Sequence, residues 1–393
     1  MMPASAKLPA ELLEAATEQL LDSSRRPPNI VGIGHGVKWT NNQPTGQDAI
    51  LVLVEQKLDV PAKDRIPPTI KGKRTDVVAV GSIFAQQMLG EREFLRSPSL
   101  KDLRGVPADG EPEPLRQPQR TLLRFHEDQQ GAAASLAGTE LEVDLQVLRS
   151  RARPARPGYS VGHPKVTAGT IGAAATDIMP GGTVNPPTPG VGIPTRYYLL
   201  SNNHVVANSN NATLGDPILQ PGTFDGGTDP ADRIGRLSRF VPITFEPSTP
   251  RSEHRNLVDA AIAEVEFHDL DRLIYWTGAP RGWYRKSRLK VGDRLKKTAR
   301  TTNYTTGRVI ATNATIDVNY GGGRIARFMD QVVTTNMSAG GDSGALVLTS
   351  APGSQPDTED DFVVGLLFAG SSQVTILNHY EHVRSLLRIE VYP

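Results

Sequence analysis

The chain of 393 residues contains no cysteine. That excludes disulfide scaffolds, thiolate metal sites and a cysteine nucleophile, and it fits a reducing compartment such as the cytoplasm. No apolar run approaches the length needed to span a bilayer, and the N-terminus lacks the basic segment and apolar core of a signal peptide. There is no excess of either charge. Lys and Arg total 43 against 42 Asp and Glu, a net charge of +1, so nothing electrostatic draws the chain to nucleic acid or to a membrane surface.

What the chain has in quantity is turn residues, 37 Gly and 31 Pro. They separate short β-branched runs, which favours a mainly β architecture. "LPAELLEAATEQLLD" from Leu8 is the exception. Leu8, Leu12, Leu13, Ala16 and Leu20 recur at helical spacing, and the helix they form either packs on its own domain or mediates self-association into a homo-oligomer. "IVGIGHGV", "AILVLVEQ" and "TDVVAVGSIFA" then suggest a small α/β or β unit over about residues 28–90. His35 lies in the first run without a second ligand at metal-binding spacing, and is read as structural.

Three domains are expected: an N-terminal helix and small α/β unit over 1–92, a linker or extended arm over 93–158, and a β domain over 159–393. The polar, Pro-rich composition after residue 93 supports the arm, and "RSRARPARPG" from Arg149 reads as an exposed tether. In the last domain strand signals recur every few residues, as a sandwich or a pair of barrels requires. Gly321, Gly322 and Gly323 separate two of these runs and make a hairpin turn, not a phosphate cradle. "HYEHVRSLLRI" closes the chain as a helix.

The candidate chemistry lies around "MSAGGDSGALVL". Gly340 and Gly341 permit backbone angles that turn N–H groups toward one point, where a developing oxyanion can be held. The bland reading of the same residues is a Gly-rich turn. A serine needs a base, and the base needs an orienting group. "YYLLSNNHVVA" ends an apolar strand at His204. "NLVDAAIAEVE" begins another with Asp259, a carboxylate whose burial demands a partner such as an imidazole N–H.

These blocks, in the order His, Asp, Ser, resemble the catalytic blocks of chymotrypsin-like serine peptidases. "KKTARTTNYTTGRV" and "GLLFAGS" are similar to two further blocks of that family. Within it, "SNNHV" and the "LQPG…DGG" loop resemble cysteine-free bacterial relatives of the plant narrow-leaf serine protease. The resemblance implies a double β-barrel over residues 159–393 and an endopeptidase acting on protein or peptide substrates without a cofactor. Ser343 would be the nucleophile, His204 the general base and Asp259 its orienting carboxylate. Gly341 and Ser343 N–H groups would form the oxyanion hole. Phe368, Ala369 and Gly370 would wall the substrate pocket, with Met337 near its base, and a medium apolar residue is expected there. The N-terminal region would regulate or assemble the enzyme.

Departures from the family carry their own expectations. Phe368 stands where many relatives have a serine that bonds the catalytic Asp, so Ser201 becomes the candidate donor. Ala299 and Asn303 replace glycines, the second mildly, because Asn tolerates a left-handed backbone. Asp342 is expected to bond an internal group; the alternative is a new N-terminus cut within "RSRARPARPG".

Three other readings remain. "GDSGA" fits a loose nucleophile elbow, with His379 and His382 and Asp357, Asp360 and Asp361 as later partners, but the strand–helix alternation of that fold is missing. Asp216, Asp225, Asp229 and Asp232 could bind calcium or simply make turns. His163, His254 and His268 read as surface histidines. Finally, the chain could be a binding module whose triad is idle.

Overall fold

The computed structural model describes residues 9–22, 29–40, 43–61, 65–85, 147–178, 196–350 and 360–391. Residues 93–146 of the expected arm, and Asp357, lie outside the described residues. The structure is mainly β.

One sheet has six antiparallel strands in the spatial order Pro217–Leu219, Arg233–Phe240, Ala261–Val265, Tyr198–Ser201, Ala173–Asp177 and Ile389–Val391. The other runs Arg294–Ala299, Leu346–Thr349, Phe362–Gly370, Val374–His379, Ile325–Thr335, Asn303–Asn319. Arg294–Ala299 also pairs with Asn303–Asn319, so these six strands close into a ring. A core of Ala173, Leu200, Val258, Ile262, Leu346 and Leu366 joins the two sheets. The closing helix Tyr380–Leu387 packs Tyr380, Val383 and Leu387 into it.

The N-terminal strands do not stand apart. Ile30–Thr40 pairs with Asn303–Asn319, aligning Gly32 with Ile316 and Gly36 with Ala311. Gln43–Val54 and Lys73–Ala79 extend the same sheet outward. The apolar run 49–54 is buried on both faces, which explains why it does not alternate. Ile50, Val52 and Val54 face the helix Ala10–Leu20, whose Leu13, Ala16 and Leu20 are buried there, while Ala49, Leu51 and Leu53 face the core under the ring. The helix therefore spends its apolar face on its own chain. His35 is buried with Nε2 3.4 Å from Asp48 Oδ1, a structural role.

Residues 147–158 are not an exposed tether. Leu148 and Ala155 are fully buried, because the segment folds back along the first sheet. Arg153 Nη1 donates to the Gln220 carboxamide oxygen at 2.5 Å. Gly321, Gly322 and Gly323 all have positive φ in the hairpin expected there. That turn is closed by Tyr320 N–H donating to the Arg324 carbonyl at 2.9 Å.

Candidate active site

Strand register brings two of the candidate residues together. Ser201 pairs with Ala261, so the residues just after the first strand meet those just before the second. His204 follows on the short helix Asn203–Val206, and Asp259 lies two residues ahead of Ala261. His204 Nδ1 stands 2.6 Å from Asp259 Oδ2, and the His204 backbone N–H donates to Asp259 Oδ1 at 3.1 Å. Both side chains are 0% exposed. A buried carboxylate holds its charge only when its lone pairs are filled. Here the carboxylate receives the imidazole N–H, which fixes the proton on Nδ1 and leaves Nε2 as the basic nitrogen.

A third donor to Asp259 is not legible in the sequence. Tyr320 Oη donates to Asp259 Oδ2 at 2.7 Å. Burial first, and then the Asp259 charge, push the Tyr320 hydroxyl well above the ordinary phenol range, so it keeps its proton to donate. Ser201 does not take this part. Its hydroxyl donates to the Thr170 carbonyl at 2.8 Å, because the side chain of a strand residue paired with Ala261 points toward the Gly169–Thr170 strand. The sequence signal for Tyr320 was the glycine turn beside it, which fixes where the strand stops.

Ser343 reaches the same region from the ring. Its carbonyl accepts the Thr170 N–H at 2.7 Å. A methyl group placed on Gly169 would meet Val205 Cγ2 at 2.5 Å and the Ser343 carbonyl oxygen at 3.0 Å, so the residue after His204 and the candidate nucleophile border one point. Ser343 Oγ donates to the Phe368 carbonyl at 3.3 Å and is fully buried. Gly341 and Gly344 have φ of +93° and +97°. Thr301 Oγ1 donates to the Gly340 carbonyl at 2.8 Å; in a trans peptide this aims the Gly341 N–H away from Thr301. Thr170 Oγ1 fixes the next peptide through the Gly341 carbonyl at 2.9 Å.

Asp342 bonds internal groups, as expected. It accepts from Thr301 N at 2.8 Å and Thr302 Oγ1 at 2.6 Å, and it lies 3.2 Å from the fully buried Lys297 ammonium. Burial lowers the Lys297 pKa while Asp342 opposes the shift. Asn303 has φ +55°, the left-handed backbone its side chain tolerates.

The expected pocket residues are buried. The Phe368 ring packs 4.7 Å from Phe328 in the core under the ring, and only its carbonyl faces Ser343. Met337 lies in a core with Leu295 and Leu377. Ala369 and Gly370 form a strand edge that is paired with Phe84–Ala85.

The acidic loop uses its carboxylates elsewhere. Asp225 accepts from Arg300 Nε at 2.6 Å and from Ser160 Oγ at 2.5 Å, Asp229 pairs with Arg233, Asp232 with Arg151, and Asp216 with His163. Among the described residues no group of three His, Asp or Glu could hold a metal ion. His163 and His254 are buried, not at the surface. Asp216 and the Thr249 carbonyl hold their ring nitrogens, and those bonds make burial tolerable. His268 is exposed. His382 bonds Asp330 at 2.7 Å.

No family model matches the chain, and no curated relative matches it. Among solved structures the chain is similar to serine proteases. Protease A of Thermobifida fusca is 14% identical with a TM-score of 0.38, over 60% of this chain and 96% of that one. A glutamic acid specific serine protease is 19% identical with a TM-score of 0.38, over 60% of this chain and 100% of that one. Nocardiopsis protease is 15% identical with a TM-score of 0.37, over 60% and 98%.

Proposed function

We propose that the chain is a cytoplasmic serine endopeptidase of chymotrypsin-like architecture, the six-stranded sheet and the six-strand ring of the larger sheet standing for its two barrels. Within that architecture its "SNNHV" and "LQPG…DGG" segments make it a relative of the bacterial counterparts of the plant narrow-leaf serine protease. The observation that carries it is the His204–Asp259 contact at 2.6 Å, both groups buried and the carboxylate further held by Tyr320.

In the proposed reaction, rotation about the Ser343 Cα–Cβ bond redirects the hydroxyl from the Phe368 carbonyl to His204 Nε2. Nε2 takes the proton as Oγ attacks the substrate carbonyl carbon. The oxyanion is held by the N–H groups of Gly341 and Ser343. Imidazolium then gives its proton to the amine nitrogen as the C–N bond breaks. Water hydrolyses the acyl ester by the same base, and Ser343 regains its proton. Asp259 stays charged throughout and stabilises the imidazolium. The pocket near Met337 would accept a medium apolar residue, and the N-terminal region would regulate or assemble the enzyme.

The complete burial of Ser343 and the turn of its hydroxyl toward Phe368 support a second reading, a protease-fold binding protein with an idle triad. A serine-directed fluorophosphonate probe separates the two. Labelling that Ser343→Ala and His204→Ala each abolish establishes the enzyme. Absence of labelling in the intact chain and after limited proteolysis establishes the idle triad.

A further inference from the structure

We infer that residues 80–85, Val-Gly-Ser-Ile-Phe-Ala, are a tethered substrate mimic. They occupy the strand edge on which an extended peptide substrate would pair, and so they hold the site closed. The inference rests on the peptidase reading and names both the regulation and the substrate class of that same site.

The edge in question is short. Ala369 and Gly370 end the Phe362–Gly370 strand and follow Phe368, whose carbonyl accepts the Ser343 hydroxyl. An extended chain pairing there lies within two residues of the Phe368 carbonyl that the Ser343 hydroxyl touches. Exposed strand edges recruit peptides through their main-chain groups, with pockets for alternate side chains. Here the edge already has an occupant. Ala85 pairs with Ala369 and Phe84 with Gly370, antiparallel, so the segment runs toward the level of Phe368.

The occupant is anchored on its other side too. Phe84 pairs with Asn319, whose N–H donates to the Ile83 carbonyl at 2.9 Å. Asn319 precedes Tyr320, the donor to Asp259. Ser371 Oγ donates to the Val80 carbonyl. The segment thus bridges the strand end that serves Asp259 and the strand end that serves Ser343. Alternation decides its side chains: Ile83 and Ala85 are 3% and 6% exposed, packed with Val80 into the core that holds Tyr320, Phe368 and Ala369, while Phe84 is turned outward. The substrate class that fits this edge is an extended peptide with a branched apolar residue and, two positions nearer the nucleophile, a small one.

The test separates docking from catalysis. A fluorescent peptide of sequence VGSIFA is titrated against the full chain carrying Ser343→Ala, with and without Ala85→Asp, which drives a charge into the buried position and ejects the segment. Circular dichroism checks the fold. The expected result is at least a ten-fold gain in peptide affinity when Ala85→Asp is present. Equal affinity, or no binding to either folded protein, overturns the inference. If Ala85→Asp does not fold, Ser371→Ala replaces it; this removes the Val80 anchor together with the hydroxyl that accepts from the Gln373 and Val374 N–H groups, a gain of several-fold is expected once circular dichroism shows the fold intact, and unchanged affinity overturns the inference. With Ser343 restored, a released chain that labels with fluorophosphonate faster than the parent supports docking and peptidase together. A released chain that binds the peptide but never labels keeps the docking and sinks the peptidase reading. Labelling at the parent's rate sinks the docking.

Discussion

The Tyr320 hydroxyl meets the Asp259 carboxylate at 2.7 Å, on the same oxygen that faces the His204 ring. The two rings stand edge to face with centroids 6.0 Å apart, so one tyrosine both braces the carboxylate and forms a side wall for the imidazole. The glycine turn at 321–323 is what delivers it, because the Tyr320 N–H closes that turn.

Tyr320→Phe is expected to lower kcat about ten-fold with little change in KM. It removes a donor that positions the carboxylate and leaves part of a buried charge unsatisfied, worth roughly 1–3 kcal/mol. Steady-state kinetics on a peptide substrate check the split between kcat and KM. A change in KM alone would contradict the positioning role.

Gly344→Ala and Gly321→Ala are expected to diverge. A Cβ on Gly344 would sit 2.3 Å from both Ser201 Oγ and the Thr170 carbonyl, at φ +97°. Backbone must move, which predicts a loss on the order of 3 kcal/mol or more. Gly321 has φ +75° but open space around it, so only the conformational penalty of about 1 kcal/mol applies. Denaturant unfolding of the two variants measures the difference.

Lys297→Met should destabilise the fold by about 3–5 kcal/mol, since it strands the buried Asp342 without its cation. The double variant Lys297→Met with Asp342→Asn should recover a large part of that loss. A double-mutant cycle by thermal unfolding gives the coupling; additive losses would show that the pair does not interact.

Acid sensitivity should trace in part to Asp330. Burial works to raise its carboxyl, but the His382 hydrogen bond, the His379 charge and Lys286 together lower it to about 2 from 3.8. A depressed folded value means the stabilisation is complete above the unfolded value and is lost as pH falls through the interval from about 4 to 2. Asp330→Asn should therefore cost on the order of 1–2 kcal/mol at pH 7. The gap between variant and parent should shrink below pH 4. Urea titrations at a series of pH values follow it, and a gap independent of pH would exclude the ionised carboxylate as the cause.

Residue by residue, the sequence alone determined the turn chemistry, the strand-rich class, the helix on 10–20 and the three side chains singled out for chemistry. Each is local: glycines mark positive φ, β-branched runs mark strands, and His, Asp and Ser announce themselves by type. It also indicated that Asp342 would look inward, since no apolar N-terminus follows the basic stretch. It could not supply Tyr320 as the donor in place of Ser201, because that choice depends on which strand end abuts Asp259. Nor could it show that 147–158 pack as core, that Ile30–Thr40 joins the edge of Asn303–Asn319, or that Phe84–Ala85 covers the edge beside Ser343. Those are pairings between segments far apart along the chain. Hydrogen-bonding edges carry no side-chain signature, so their partners are chosen only when the whole chain has packed.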